Sequence, residues 1–189
     1  MEDKKKFMAK AIELSINSAN TIGGPFGSVI VKDKKIIAEG SNRVTSSNDP
    51  TAHAEIVAIR KACKNLNTFN LSGCDIYTRC EPCPMCLSAI YWSHIDNIYY
   101  ANTRDDAKKI NFDDSLIYSE FSKKMEDRKI PIKQILRDEA LKAFEIWDKK
   151  KDKIEYVSKR IIEHMENAIK LKVPLIVELK SGKTWADSH

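Results

Sequence analysis

The sequence predicts an α/β layered domain. Short apolar runs with the character of strands alternate with segments whose apolar residues recur at helical spacing, from residue 3 to about residue 150. Clusters of glycine, proline and asparagine separate several of these segments, as expected at turns. A chain of 189 residues has room for one such domain with a substantial core, plus some additional sequence.

The domain is predicted to begin with a helix and a hairpin. Residues 3–20 are expected to form an amphipathic helix, because one face repeats through Phe7, Ala11, Leu14 and Ser18. The run GGP at 23–25 ends this helix. Two apolar runs follow, FGSVIVKD and KKIIAEGSN, and the polar turn at 32–35 between them predicts a hairpin.

The rest of the domain continues the alternation. The loop that ends in NDPT is followed by a predicted helix, AHAEIVAIRKACK, which Asp49 or Thr51 could cap. After it come a short strand CDIYTR, a helix from Pro84 to Ser93 and a strand NIYYAN. Two more helices are predicted, at roughly 113–124 and 135–150.

The composition changes after Tyr156. Residues 157–189 are predicted to form a further helix, with Ile161, Met165 and Ile169 at a spacing of four, then a short strand VPLIVEL and a Ser-Gly turn. The domain prediction is therefore a main domain over 1–156 and a helix–strand extension of unknown role over 157–189.

Composition and hydropathy predict a cytoplasmic protein. The apolar runs are too short to span a bilayer, and the first residues lack the apolar core of a signal peptide. A net charge of +5 without a clustered basic patch makes nucleic-acid binding an unfavoured interpretation. In a reducing compartment the five cysteines are expected to be metal ligands, nucleophiles or buried apolar residues.

The stretch RCEPCPMC at 79–86 places Cys80, Cys83 and Cys86 three residues apart. Cys83 and Cys86 lie at a predicted helix start, where the positive end of the helix favours the thiolates that a metal requires. A structural site with four cysteine ligands would need a second CxxC pair, which the sequence lacks. A thioredoxin-like redox pair remains an alternative at this point.

The segment PTAHAEIVAIR supplies the missing metal ligand. His53 and Glu55 are two residues apart and diverge by about 200° on an ideal helix, so they can serve one cleft only at a helix N-terminus. H-x-E followed by P-C-x-x-C matches the signature of zinc deaminases. The sequence thus predicts Zn²⁺, one per subunit, held by His53, Cys83 and Cys86 with water or hydroxide as fourth ligand, and Glu55 as proton carrier.

Residues 7–156 resemble the bacterial guanine deaminases of the cytidine-deaminase-like superfamily. The matching stretches are IGGPFGSVIVKD, IIAEGSN, TSSNDPTAHAEIVAIRKACK, YTRCEPCPMCLSAIYW, FDDSLIY and IEY. Within the superfamily, FDDS and IEY point to guanine. The resemblance implies a three-layer α/β/α fold with a central mixed sheet of about five strands, and hydrolysis of guanine to xanthine and ammonia.

The same resemblance implies roles for further residues. Asn42 would hydrogen-bond the purine, Phe26 and Trp92 would line or stack on it, and Asp114 would contact its polar edge and assist protonation of the leaving amine. Tyr156 would close the pocket of the neighbouring subunit in a homodimer with exchanged C-terminal segments. From the residues alone, the aromatic side chains could instead belong to the core and Asn42 to a turn, and Asp113 is the better helix cap.

The chain departs from this family at its end. Family members end near the position of Tyr156, whereas the stretch MENAIKLKVPLIVELKSGKTWADSH resembles the extreme C-terminus of family A DNA polymerases. It contains none of their metal-binding carboxylate motifs, so no activity is implied. Guanosine deamination, tRNA adenosine editing and a non-catalytic zinc module remain alternatives. Glu55 argues against the zinc module, because a structural zinc site does not need a carboxylate that is not a ligand.

Overall fold

The computed structural model of the protein describes residues 2–167. Its strands are β1 (Gly27–Lys32), β2 (Lys35–Ser41), β3 (Cys74–Cys80) and β4 (Asn97–Asn102). Its α-helices are α1 (Glu2–Ala19), α2 (Val44–Ser47), α3 (Ala54–Leu66), α4 (Pro84–Trp92), α5 (Arg104–Lys108), α6 (Ser115–Ser122) and α7 (Arg137–Asn167). A single 3₁₀ turn, Met125–Asp127, follows α6 in this part of the chain.

The chain divides into two compact units between Asp127 and Arg128. The second unit contains α7, which continues without a break through Tyr156 and Val157. The separate helices expected at 135–150 and from 157 onward are therefore one helix, because no glycine or proline interrupts the sequence between them. The predicted domain division after Tyr156 stays a prediction. The strand VPLIVEL and most of the polymerase-like stretch lie outside the described residues.

The sheet is mixed, with strand order β2-β1-β3-β4. Strand β1 pairs antiparallel with both β2 and β3, and β3 pairs parallel with β4. The hairpin turn between β1 and β2 is tight, and Asp33 and Lys34 both adopt positive φ there, at 49° and 60°. Residues 2–167 contribute four strands to the sheet, where about five were expected.

Helices cover both faces of the sheet, which confirms the three-layer prediction. On one face, α1 packs Phe7 against Val29, Val31 and Tyr77. On the other face, the buried core joins three elements: Ile30 and Ile76 of the sheet, Ala58 and Ala62 of α3, and Ile90 of α4. Odd and even positions of the strands therefore point to different helical layers, as the alternation of side chains along a strand requires.

The strand directions bring several loops to one edge of the sheet. Strands β2, β3 and β4 run in the same direction, and β1 runs against them. The C-terminal ends of β2, β3 and β4 therefore lie at the same edge as the N-terminal end of β1. Gly27 pairs with Ser41, and Cys80 pairs with Asn102, at this edge. The segments that flank these residues form the candidate site described below.

In the part of the chain that the structure describes, no helix combines the length and the apolar character needed to cross a membrane.

Substitution of Gly40 by alanine is expected to destabilise the fold. A Cβ atom at Gly40 would collide with the carbonyl oxygen of Ala54 and lie 2.7 Å from the backbone nitrogen of Ala58, so α3 would have to move away from β2. We expect a loss near the upper end of the about 1–3 kcal/mol typical of overpacking, measured by urea unfolding. Glu39→Ala at the neighbouring position is the control, and equal unfolding free energies for the two variants would contradict this account.

Candidate active site

Two helix N-termini meet at the loop-bearing edge of the sheet. His53 is the N-cap residue of α3 and Cys83 is the N-cap residue of α4, each with an extended backbone. Pro84 occupies the first position of α4, where a missing N–H costs no helical hydrogen bond. Cys86 follows in the first turn of α4 and is fully buried. The three predicted ligands therefore come from two short segments that the sheet holds together.

The three side chains are spaced as a tetrahedral zinc site requires. The Nδ1 atom of His53 lies 3.6 Å from the Sγ atom of Cys83 and 3.5 Å from the Sγ atom of Cys86. Zinc–sulfur bonds of about 2.3 Å and zinc–nitrogen bonds of about 2.0–2.1 Å at tetrahedral angles put nitrogen and sulfur about 3.5–3.6 Å apart. All three ligand atoms lie within 4.8 Å of one another. The residues therefore fit zinc without rearrangement.

Hydrogen bonds couple the protonation of the three ligand side chains. The thiol of Cys86 and the imidazole of His53 hydrogen-bond to Cys83 and lower its pKa to about 4, against the opposing effect of burial. The pKa of Cys86 is raised, first by its hydrogen bond to Cys83 and then by burial. The pKa of His53 is also raised, chiefly by its contact with Cys83. A divalent ion can replace the protons that the three side chains share here.

Cys80 lies near these ligands but outside their cluster. It ends β3, it is buried, and its thiol donates to the carbonyl oxygen of Thr103 at 3.5 Å. Burial raises the pKa of Cys80 to about 11, so the thiol remains protonated at neutral pH. Among residues 2–167, the group with metal-ligand spacing contains His53, Cys83 and Cys86 and not Cys80.

Glu55 lies beside the metal-type cluster in a nearly closed environment. It is the second residue of α3, its exposed fraction is 5%, and the hydroxyl of Thr78 donates to its Oε1 atom at 3.2 Å. Burial raises the pKa of this carboxyl. Because His53 is the N-cap residue and lies outside the helix proper, the divergence expected on an ideal helix does not apply, and both side chains line one cavity.

The cavity has a volume of about 430 Å³, within the range of small-molecule sites. Its wall combines apolar and polar side chains from every loop at this edge of the sheet. Among the lining residues are Gly24, Phe26, Asn42, Val44, His53, Glu55, Cys80, Glu81, Cys83, Arg104, Phe112, Asp113, Asp114 and Ile117. All of these residues belong to the first unit of the chain.

Phe26 and Asn42 both line the cavity, and their predicted contacts with a purine stay predictions. Phe26 packs edge-on against Phe112, with ring centroids 4.9 Å apart. Asn42 is buried, and its Oδ1 atom accepts the backbone N–H of Val44 at 3.2 Å. The turn interpretation of Asn42 is therefore correct and compatible with a place in the cavity wall. Since Oδ1 is engaged, the amide Nδ2 is the group that remains to donate to a ligand.

The two aspartates before α6 have different surroundings. The Oδ1 atom of Asp113 accepts the backbone N–H of Ser115 at 2.9 Å, and its carboxylate pairs with Lys108 at 3.2 Å. The hydrogen bonds from Ser115 and the contact with Lys108 lower the pKa of Asp113 to about 2. Asp114 makes no capping hydrogen bond with its side chain, and partial burial raises its pKa. Asp113 thus supplies the side-chain hydrogen bond at the start of α6, while the carboxyl of Asp114 has no such bond, and both aspartates line the cavity.

One predicted substrate contact of the first unit, Trp92, does not line this cavity. Trp92 is the last residue of α4, is 82% exposed and lies beside Tyr91 and Ser88 on the outer surface. It is six positions further along the helix than Cys86, a rise of about 9 Å away from the cluster at the helix start. Tyr156 lies on α7 in the second unit and is 65% exposed. Their roles in substrate binding stay predictions, and for Trp92 such a role requires a second copy of the chain.

Among the residues at this site to which sequence reasoning assigned no role are Thr78, Arg104 and Phe112. The guanidinium of Arg104 lies over the ring of Tyr118 at 4.7 Å and lines the cavity. Phe112 directly precedes the two aspartates, and Thr78 is a polar residue on a buried strand. Thr78 carried a sequence signal, because a hydroxyl at a core position of a strand requires a partner. Phe112 carried another as the first residue of the FDDS stretch.

Fold and site together define a class: an α/β/α protein with a His–Cys–Cys metal site at two helix N-termini. The family model for the cytidine and deoxycytidylate deaminase zinc-binding region matches residues 1–102. The chain belongs to this family of zinc-binding deaminases, and its ligand cluster supports zinc as the metal.

Within this family, the chain is similar to guanine deaminases and to tRNA-specific adenosine deaminases. The chain is 53% identical to the guanine deaminase of Bacillus subtilis (strain 168) over 151 residues, which cover 79% of this chain and 97% of the relative. An X-ray structure of guanine deaminase from Bacillus subtilis superposes with a TM-score of 0.75, covering 77% of this chain and 93% of that one. The tRNA-specific adenosine deaminase of Aquifex aeolicus is 46% identical over 77 residues, covering 41% of this chain and 51% of that protein. The resemblance inferred from the sequence motifs is confirmed.

Proposed function

We propose that this protein is a zinc-dependent guanine deaminase that hydrolyses guanine to xanthine and ammonia. The observation that carries the proposal is the 53% identity to a guanine deaminase over nearly the full length of that enzyme. The site geometry agrees with it, since a ligand set for zinc and a buried carboxyl line one cavity large enough for a purine.

His53, Cys83 and Cys86 would hold one zinc ion per subunit and leave the fourth position to water. When bound, zinc lowers the pKa of such a water to about 7 and so supplies hydroxide at neutral pH. The chain contributes a preformed set of ligand atoms, because the two N-cap positions and the first turn of α4 are already in place.

Glu55 is the group that moves protons. It takes a proton from the attacking water and delivers it to a ring nitrogen, which makes the adjacent ring carbon more electrophilic. Burial raises its pKa above the ordinary value of a carboxyl, which favours the protonated form that delivers the proton to the ring. Asp114 would then assist protonation of the amine that leaves, and its raised pKa suits that role.

The purine is held by the remaining wall of the cavity. Asn42 would donate through Nδ2 to a purine acceptor, and Phe26 would pack on the ring with Phe112 behind it. Gly24 allows the backbone at residue 24 to lie close to the side chain of Asn42, because a Cβ atom there would lie 3.3 Å from the Cγ atom of Asn42. Arg104 is a further polar neighbour of the substrate in this arrangement.

A substrate panel tests the proposed function. The zinc-loaded protein is incubated with guanine, guanosine, adenine, cytosine and cytidine, and ammonia release is followed, with Glu55→Ala as the blank. Release from guanine alone, or fastest from guanine, is the expected result. A preference for guanosine would replace the proposed substrate, and release from none of the five would remove the enzymatic interpretation.

One alternative has specific support, namely a tRNA adenosine deaminase. The chain shares 46% identity with such an enzyme over 77 residues. A tRNA substrate would show binding that weakens steeply with salt, whereas a neutral purine base would not. Comparing product formation from tRNA and from guanine at two salt concentrations separates the two functions.

We further propose a homodimer in which Tyr156 closes the substrate pocket of the neighbouring subunit. We also propose a cytoplasmic location, which the five free cysteines support. Exposure of Tyr156 leaves its side chain available to another copy. A complementation assay tests the exchange: Glu55→Gln and Tyr156→Ala subunits are co-expressed, and each mixed dimer holds one site with both native residues. Recovered activity supports exchange, and activity no higher than that of the separate variants argues against it.

The segment after Tyr156 is expected to affect how the pocket closes over the substrate rather than the rate of the chemical step. Helix α7 continues through Val157, so a chain that ends at Tyr156 has a free carboxylate where the full chain has a helical peptide bond. We expect the truncated protein to show a lower KM for guanine and an unchanged kcat. Steady-state kinetics of both forms measure this, and identical constants would make the segment irrelevant to catalysis.

A further inference from the structure

One face of the sheet changes from apolar to polar as it approaches the site. Strands β1 and β3 pair Ile30 with Ile76, and two residues further along they pair Ser28 with Thr78 on the same face. All four residues are at most 2% exposed. A hydroxyl at such a depth is unfavourable unless it is hydrogen-bonded, so each of the two polar side chains must have a partner.

The two hydroxyls have different partners. Ser28 donates to the backbone carbonyl of Tyr77 at 3.1 Å, a contact within the sheet. Thr78 instead reaches out of the sheet and donates to the Oε1 atom of Glu55 at 3.2 Å. Thr78 is therefore a residue of the sheet whose side chain contacts Glu55, the carboxyl assigned to proton transfer.

We propose that Thr78 is a positioning residue for Glu55. This inference rests on the proposed function. By donating to Oε1, Thr78 limits the rotation of the Glu55 carboxylate, which takes the proton from water and returns it to the ring. Thr78 keeps its own proton throughout. Its β-branched side chain has few rotamers on a buried strand, so the donor is held in place before substrate binds.

The first test is the isosteric variant Thr78→Val. Loss of a hydrogen bond to a charged group predicts a fall in kcat of about 10- to 100-fold, because the carboxylate is no longer aligned. KM for guanine and the zinc content, measured by mass spectrometry, are expected to stay unchanged. Thr78→Ser retains the hydroxyl and is expected to restore most of kcat. Should the valine variant not fold, Thr78→Ala takes its place in the same comparison.

Ser28→Ala is the matched control. It removes a buried hydroxyl from the paired position of the same face but leaves Glu55 untouched. It is expected to lower the unfolding temperature as Thr78→Val does, with kcat unchanged. An equal loss of kcat in both variants, full kcat in Thr78→Val, or a loss of zinc in Thr78→Val would each overturn the positioning role.

An infrared measurement tests the contact without turnover. The carboxylate band of Glu55 is identified as the one missing from Glu55→Gln, and it is expected to shift in Thr78→Val and to return in Thr78→Ser. A band that does not move contradicts the contact. Absence of guanine turnover in the wild type would instead remove the proposed function, and the two failures are therefore distinguishable.

Discussion

Replacement of Glu55 by glutamine is expected to lower kcat for guanine about 10²- to 10⁴-fold, the usual contribution of a general acid–base group. Glutamine has nearly the same shape as glutamate, and its amide oxygen can still accept the hydroxyl of Thr78. It cannot accept and release a proton at neutral pH. The loss therefore falls on the chemical step, and KM is expected to change little.

Zinc content and folding distinguish this loss from a structural effect. Glu55 is not among the side chains with metal-ligand spacing, so Glu55→Gln is expected to retain one zinc per chain. Glu39→Gln makes the same chemical change at a position on β2 whose side chain is 41% exposed, and it is expected to leave kcat unchanged. Wild-type kcat in Glu55→Gln would show that another group carries the proton.

Substitution of Cys83 or Cys86 by serine is expected to abolish both zinc binding and activity. Each serine removes one of three protein ligands, and a hydroxyl is a poor substitute for a thiolate on zinc. Because the energy of metal binding adds to the stability of the folded state, the unfolding temperature is also expected to fall. Zinc per chain by mass spectrometry, ammonia release and thermal unfolding measure the three effects.

Cys80→Ser is the matched control for the ligand variants. A serine hydroxyl can donate to the carbonyl of Thr103 in place of the thiol, so zinc content is expected to equal that of the wild type. Removal of zinc from the wild type by a chelator should abolish activity, and readdition of zinc should restore it. If Cys80→Ser lost zinc as completely as Cys83→Ser, the division of the three cysteines would be wrong.

Local patterns in the sequence were sufficient to predict the four strands and the longer helices of the first unit, although not the short helices α2 and α5. Alternation of side chains and helical spacing depend only on neighbours along the chain, and the predicted strands CDIYTR and NIYYAN match β3 and β4 within one residue. The separate helices expected on either side of Tyr156 were wrong, because a change of composition does not break a helix. The family prediction was confirmed by the relatives.

The metal ligands were accessible to sequence reasoning because their geometry is also local. Cys83 and Cys86 belong to one helix start, and the signature that links them to His53 implies a shared cleft. The structure added the reason that His53 and Glu55 can act together, which is that the helix begins between them.

The sequence by itself determined the α/β alternation, the candidate zinc ligands and the carboxyl beside them. Only the tertiary structure decided that Phe112 and Arg104 share the cavity, that Thr78 holds Glu55, and that Trp92 lies outside the cavity of its own chain. The physical reason is that these relationships join residues far apart in sequence. They depend on which strand ends meet at one edge of the sheet. Local sequence patterns do not determine the order and direction of the strands.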